Sequence, residues 1–137
     1  MRIEVVHPDH FQYAWPLVEQ YIVAALEHAQ GDYNADQAKV YLASGAWTLY
    51  VAVDDAGALH GAGAVQFNNM PNDRVAFVIA IGGKMFTSKD TWQQFVGLLK
   101  ARGATQVEGA ARESIARLWK RYGFEEKYRI VSVRISA

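Results

Sequence analysis

Seven consecutive residues, Val75 to Ile81, are apolar without a break. A half-buried strand alternates, and a run this short is not a helix, so the stretch reads as a strand covered on both faces. A chain that contains such a strand must supply a layer on each side of its sheet. The rest of the sequence meets that demand. After the run come a Gly pair, a Lys and Thr87-Ser88-Lys89-Asp90, then a helical stripe of Trp92, Phe95, Val96 and Leu99. Gly103 closes that helix, and Gln106 to Gly109 reads as a short strand. A right-handed crossover is expected to join the two strands.

Before the run, Ile3 to Val6 reads as a strand, and Pro8-Asp9 as a helix start with Asp9 as its N-cap. Trp15, Val18, Ile22, Ala25 and Leu26 recur at helical spacing up to a break at Gly31-Asp32. A shorter helix is expected from Ala35 to Ala43, ended by Gly45. Trp47, Leu49, Val51 and Val53 alternate as a strand, Asp54-Asp55-Ala56-Gly57 turns, and Gly61 to Phe67 returns. After Gln106 to Gly109, a helix carries Ile115, Leu118, Trp119 and Tyr122 and stops at Gly123. Tyr128, Val131, Val133 and Ile135 form a closing strand with a slip in its alternation. The order is β-α-α-β-β-β-α-β-α-β: an α+β chain with a mixed sheet, read as one domain over residues 1–137.

No apolar run reaches the roughly 18 residues of a membrane span, and the N-terminus lacks the pattern of a secretory signal. The absence of cysteine excludes disulfides, a thiol nucleophile and Cys-based zinc sites, and fits a cytoplasmic protein. His7 and His10 flank Pro8-Asp9 and read as a helix start, so no metal site is expected. The formal net charge is zero, which gives no reason to expect nucleic-acid binding. The charge is nevertheless divided. Residues 1–83 hold three basic and nine acidic residues, net −6, and residues 84–137 hold eleven basic and five acidic, net +6.

The element order, together with Ser114-Ile115-Ala116-Arg117-Leu118-Trp119-Lys120-Arg121-Tyr122-Gly123-Phe124-Glu125, resembles the GNAT superfamily of acyl-CoA-dependent N-acyltransferases, whose last helix ends in a Gly-Phe pair. The resemblance implies transfer of an acetyl group from acetyl-CoA to an amine. It implies cofactor contacts at Ile81, Gly82, Gly83, Lys84, Thr87, Ser88, Lys89, Arg112 and Trp119. The family's Gln/Arg-x-x-Gly-x-Gly/Ala pyrophosphate loop falls on Phe86-Thr87-Ser88-Lys89-Asp90-Thr91, where its glycines are missing. Thr87-x-x-Asp90 reads as a capping box that closes the helix start on itself. Lys84, Lys89 and two hydroxyls leave an altered anion site open as the other reading.

The family's thiolate-protonating Tyr falls on Trp119, whose indole N–H does not titrate at neutral pH. Tyr122 is the substitute acid, or a core ring. Glu108 is the candidate base if it faces the cleft. Arg112 stands where the family often has Asn. Gln66 and Asn68 are candidates to orient substrate or water. Tyr21, Tyr33 and Tyr41 are candidates to line an acceptor pocket, and the acidic half suggests a cationic acceptor. The alternative is a GNAT-like binding or structural protein without catalysis, as among small bacteriophage proteins of this type. The closing strand offers an edge for a homodimer, although Ser132, Arg134 and Ser136 equally suit a wet face.

Overall fold

A computed structural model describes residues 1–27, 31–111 and 113–136. The elements are β1 (Arg2–Val6), a 3-10 turn (Pro8–His10), α1 (Phe11–Leu26), α2 (Ala35–Ser44), β2 (Thr48–Val53), β3 (Leu59–Asn69), β4 (Arg74–Gly83), α3 (Lys89–Ala101), β5 (Gln106–Gly109) and α4 (Glu113–Lys120). The strands form one sheet in the order β1-β2-β3-β4-β5. The first four are antiparallel neighbours, and β5 runs parallel to β4.

Each face of the sheet carries its own core. On one face, Phe11, Trp15, Val18, Ile22 and Leu26 of α1 and Ala38 and Leu42 of α2 pack on Leu49, Val51 and Val53. On the other, Phe95 and Leu99 of α3 and Trp119 of α4 pack on Tyr50, Ala52, Val65, Ala76 and Val78. Strand alternation sends Leu49, Val51 and Val53 one way and Tyr50 and Ala52 the other, and both sets are buried. Burying a side chain such as Phe95 contributes about 1.5–3 kcal/mol. The Tyr50 ring meets Phe95 edge to face at 5.3 Å, and its hydroxyl has no hydrogen-bond partner among the described residues. Burial pushes the Tyr50 phenol above its ordinary value. Gly82 is required where α1 crosses β4, because a Cβ there would overlap the Tyr21 carbonyl.

Three expectations are corrected. Asp9 does not cap α1; its own N–H donates to His7 Nδ1 at 3.1 Å, so His7 caps the 3-10 turn that precedes the helix. The box at the start of α3 is Ser88 and Thr91, one residue later than Thr87 and Asp90. Both candidate caps are hydroxyl residues, so the sequence pattern does not separate them. The strand expected from Tyr128 to Ile135 pairs with nothing among the described residues. Its Val131, Val133 and Ile135 are 90%, 86% and 90% exposed, and Leu118 on α4, expected in the apolar stripe, is exposed as well. Strand pairing needs an edge in reach, and β5 offers only four residues.

Candidate functional site

The site arises from two irregularities in β4. Its register with β3 moves from Val78↔Val65 to Ala80↔Ala64, so Ile79 is an extra residue at a bulge. Bulges re-aim a strand and recur beside functional sites. On the other side, β4 pairs with β5 only from Val75↔Gln106 to Val78↔Gly109. Beyond that point β4 continues to Gly83, while the chain after β5 turns away through Ala110 and Ala111 toward α4. Gly109 makes the parting possible. A Cβ there would lie 2.6 Å from Trp119 Cζ3, so only glycine lets the indole press against the end of β5.

The parting leaves a cleft of about 530 Å³, within the usual size of ligand pockets. One wall is Val78, Ile79, Ala80 and Ile81. Ala110, Ala111, Ile115 and Trp119 face it, and Ala25, Asp32, Tyr33 and Ile130 border it. Most of this lining is apolar. Asp32 is its one carboxylate among the described residues, and it is exposed at the rim. The backbone groups of β4 beyond Val78 have no β5 partner, so they present donors and acceptors to the cleft.

Of the residues expected at a cofactor site, Ile81 and Trp119 line this cleft. Gly82 and Gly83 sit at the end of β4 against Tyr21 and the His60 carbonyl. Lys84, Thr87, Ser88 and Lys89 are exposed and lie outside the cleft lining. Arg112 falls outside the described residues.

The start of α3 is closed by its own side chains. Thr91 Oγ1 accepts the N–H groups of Thr87 at 3.1 Å and Ser88 at 3.2 Å, and Ser88 Oγ accepts that of Thr91 at 3.2 Å. Asp90 accepts from Gln94 Nε2 at 2.8 Å. These bonds take three of the amides that a helix start would offer an anion. The N–H groups of Lys89 and Asp90 are not taken up by them.

Glu108 does not line the cleft; its Oε2 lies 2.6 Å from Lys127 Nζ, and accepting a proton would require that pair to open. The Glu108 carboxylate in turn raises the Lys127 ammonium above its ordinary value. Tyr122 lies flat against Trp92 at 5.2 Å, beside Phe86. Gln66 and Asn68 stand opposite Phe77 and Val75, at the paired end of β4 rather than the open end. Among the tyrosines, Tyr33 reaches the cleft. Tyr21 donates to the Leu59 carbonyl at 3.3 Å, and Tyr41 stacks on Trp47 at 4.7 Å. Sequence reading did not single out Asp32 or Ile79. Asp32 was legible only as part of a helix break, and the bulge at Ile79 lies inside an unbroken apolar run.

No protein-family model matches the sequence, and no curated protein matches it either. Solved structures do match the fold. A probable acetyltransferase superposes with TM-score 0.70 and 16% identity, covering 100% of this chain and 99% of its own. A ribosomal-protein-alanine N-acetyltransferase from Brucella melitensis biovar Abortus 2308 gives 0.65 and 17%, covering 98% and 100%. An aminoglycoside acetyltransferase from an uncultured soil metagenomic sample gives 0.66 and 15%, covering 99% and 100%. The five-stranded mixed sheet with helices on both faces is thus a fold that this chain shares with solved acetyltransferase structures.

Proposed function

We propose that the protein is an N-acyltransferase that moves an acetyl group from acetyl-CoA to an amine. The observation that carries this reading is the unpaired stretch of β4 along the cleft. The residues present fit the cofactor's thioester arm, a narrow chain with two amide groups. The free backbone groups between Ile79 and Ile81 match those amides as a strand would, and Ile115 and Trp119 match the methylenes. When bound, acetyl-CoA supplies an acyl carbon activated by its thioester.

The chain's residues then do three things. Backbone N–H groups of the open stretch donate to the carbonyl oxygen as negative charge gathers on it. Asp32, with Tyr33 beside it, draws a cationic amine to the rim, in keeping with the net −6 of residues 1–83. With acetyl-CoA bound, formation of the C–N bond and cleavage of the C–S bond would pass the amine proton to water and release the thiolate unassisted, since Trp119 has no titrating proton to give it. Glu108 serves as base only when Lys127 releases it, and Tyr122 as acid only when its ring leaves Trp92. On this reading the rate rises with pH as the acceptor's ammonium is deprotonated.

A second reading, a GNAT-like binding protein without catalysis, is favoured by the self-closed start of α3. One experiment separates them: thermal melting with acetyl-CoA, followed by thiol release in the presence of amines. A ligand at 100 times its dissociation constant adds roughly 2.7 kcal/mol. A shift with thiol release supports the transferase. A shift without release from any amine supports the binding protein. No shift at millimolar acetyl-CoA overturns the transferase and supports the reading without catalysis.

A further inference from the structure

A second cavity, of about 330 Å³, lies along β1, at the opposite edge of the sheet from β5, and shares no lining residue with the cleft. It forms where β1 leaves the sheet. The last pair of the β1–β2 ladder is Val6↔Leu49; the chain then turns at His7 into the 3-10 segment, while β2 begins one residue further back, at Thr48. The floor of the cavity is Phe11, Leu42, Trp47 and Leu49, all buried. His7 and Arg102 stand exposed at its rim.

The rim is cationic and open. The Arg102 and Arg74 guanidinium groups each lie 4.9 Å from the centroid of the Phe67 ring. Arg74 is already committed, for its Nε donates to the Arg102 carbonyl at 2.9 Å and its Nη1 to Asn69 Oδ1 at 2.7 Å. The Arg102 guanidinium has no ion pair among the described residues. The Phe67 ring steadies it, and no carboxylate closes its planar fork. His7 Nδ1 accepts the Asp9 N–H at 3.1 Å, which leaves the proton of the neutral ring on Nε2 as a donor. Asp9 Oδ2 lies 3.4 Å from Nδ1, the nitrogen that is not the donor, and no carboxylate lines the cavity among the described residues.

We propose that this cavity binds a small monocarboxylate with a compact apolar body, aromatic or branched aliphatic. The floor takes the body, and the Arg102 fork takes the carboxylate through charge-assisted hydrogen bonds. His7 Nε2 adds a further donor. One cation and one neutral donor match a single acid group. A polyphosphate would bring more charge than this rim neutralises and would set polar oxygens over a buried apolar floor. A cationic ligand would meet Arg102 as a like charge. The volume stands at the small end of ligand pockets, which suits one ring or branched chain with its acid group. The proposal is independent of the chemistry in the cleft.

The test is a nuclear magnetic resonance titration of the isotope-labelled full chain with phenylacetate, and with phenylacetamide as its uncharged match. Phenylacetate is expected to give saturable shifts at His7, Trp47, Thr48 and Arg102 and none at Ile81 or Trp119, with a dissociation constant of about 1 mM or below. Arg102→Gln, at an exposed position, is expected to keep the far-UV signal and to weaken phenylacetate by about tenfold or more. Phenylacetamide is expected to bind the parent more weakly by a similar factor. Lys100→Gln removes another cation from the last turn of α3, outside the cavity, and is expected to leave the affinity nearly unchanged. No saturable shift well above millimolar phenylacetate, equal binding of acid and amide, indifference to Arg102→Gln, or shifts confined to the cleft each overturn the proposal. Inorganic phosphate that binds as tightly as phenylacetate also overturns it, because the apolar floor would then contribute nothing.

Discussion

The two halves of β4 have the same apolar character and different neighbours. From Val75 to Val78 the strand is flanked by β3 and β5. From Ala80 to Gly83 it is flanked by β3 alone. In the first half the strand is paired on both sides and its side chains pack on both faces of the sheet. In the second, one row of backbone groups faces a cleft. Hydrophobicity alone therefore does not separate a core strand from a ligand-facing one; the length of the neighbouring strand does.

The largest test of this contrast places the same charge in both halves. Ala76→Asp buries an unpaired carboxylate between β3 and β5 and should cost about 3–5 kcal/mol in urea denaturation. Ile81→Asp, at the cleft, should cost only about 1 kcal/mol and abolish any stabilisation by acetyl-CoA. Equal costs would mean that the two halves are alike. Next comes the residue where they part. Gly109→Val forces Trp119 away and should cost about 1–3 kcal/mol, with a change in indole fluorescence.

A smaller effect is expected beyond the open half, at the start of α3. Ser88→Ala should cost about 1 kcal/mol, read by thermal melting. If the cap competes with an anion, the same variant should bind acetyl-CoA no more weakly than the parent.

The smallest effect concerns the hairpin that closes the far end of β4. There the Lys84 N–H donates to the His60 carbonyl at 2.8 Å, and His60 Nε2 lies 2.7 Å from Asp54. The hydrogen bond from His60, helped by the N–H of Ala58, holds the Asp54 carboxyl below its ordinary value. A depressed carboxyl stabilises the fold above its unfolded pKa and loses that contribution as pH falls through the folded one. Asp54→Asn should therefore melt slightly below the parent near neutrality and converge with it at acid pH, which flattens the acid limb of its melting curve.

Much of the fold was legible because it depends on period. The alternation at Leu49, Val51 and Val53 and the stripe at Phe95 and Leu99 each mark a buried face. Pairing was less legible. The segment at Val131, Val133 and Ile135 has a strand's pattern, but a pattern does not say which edge will take it. The site was legible in part. Ile81 and Trp119 were expected and line the cleft, whereas the Gly82-Gly83 pair, which resembles a phosphate turn, accommodates the backbone of α1 and the His60 carbonyl. Glu108 sits on the expected strand, yet a partner nineteen residues away, Lys127, governs its availability, and no local motif records that.

Tyr50 carries a consequence for how much change this scaffold tolerates. Its ring fills the space between the sheet and α3, while its oxygen satisfies nothing among the described residues. An unmet buried hydroxyl costs about 1–3 kcal/mol, so Tyr50→Phe should make the protein sturdier while keeping its shape. Removing one oxygen atom would thus give headroom for the costlier substitutions that altering the cleft demands.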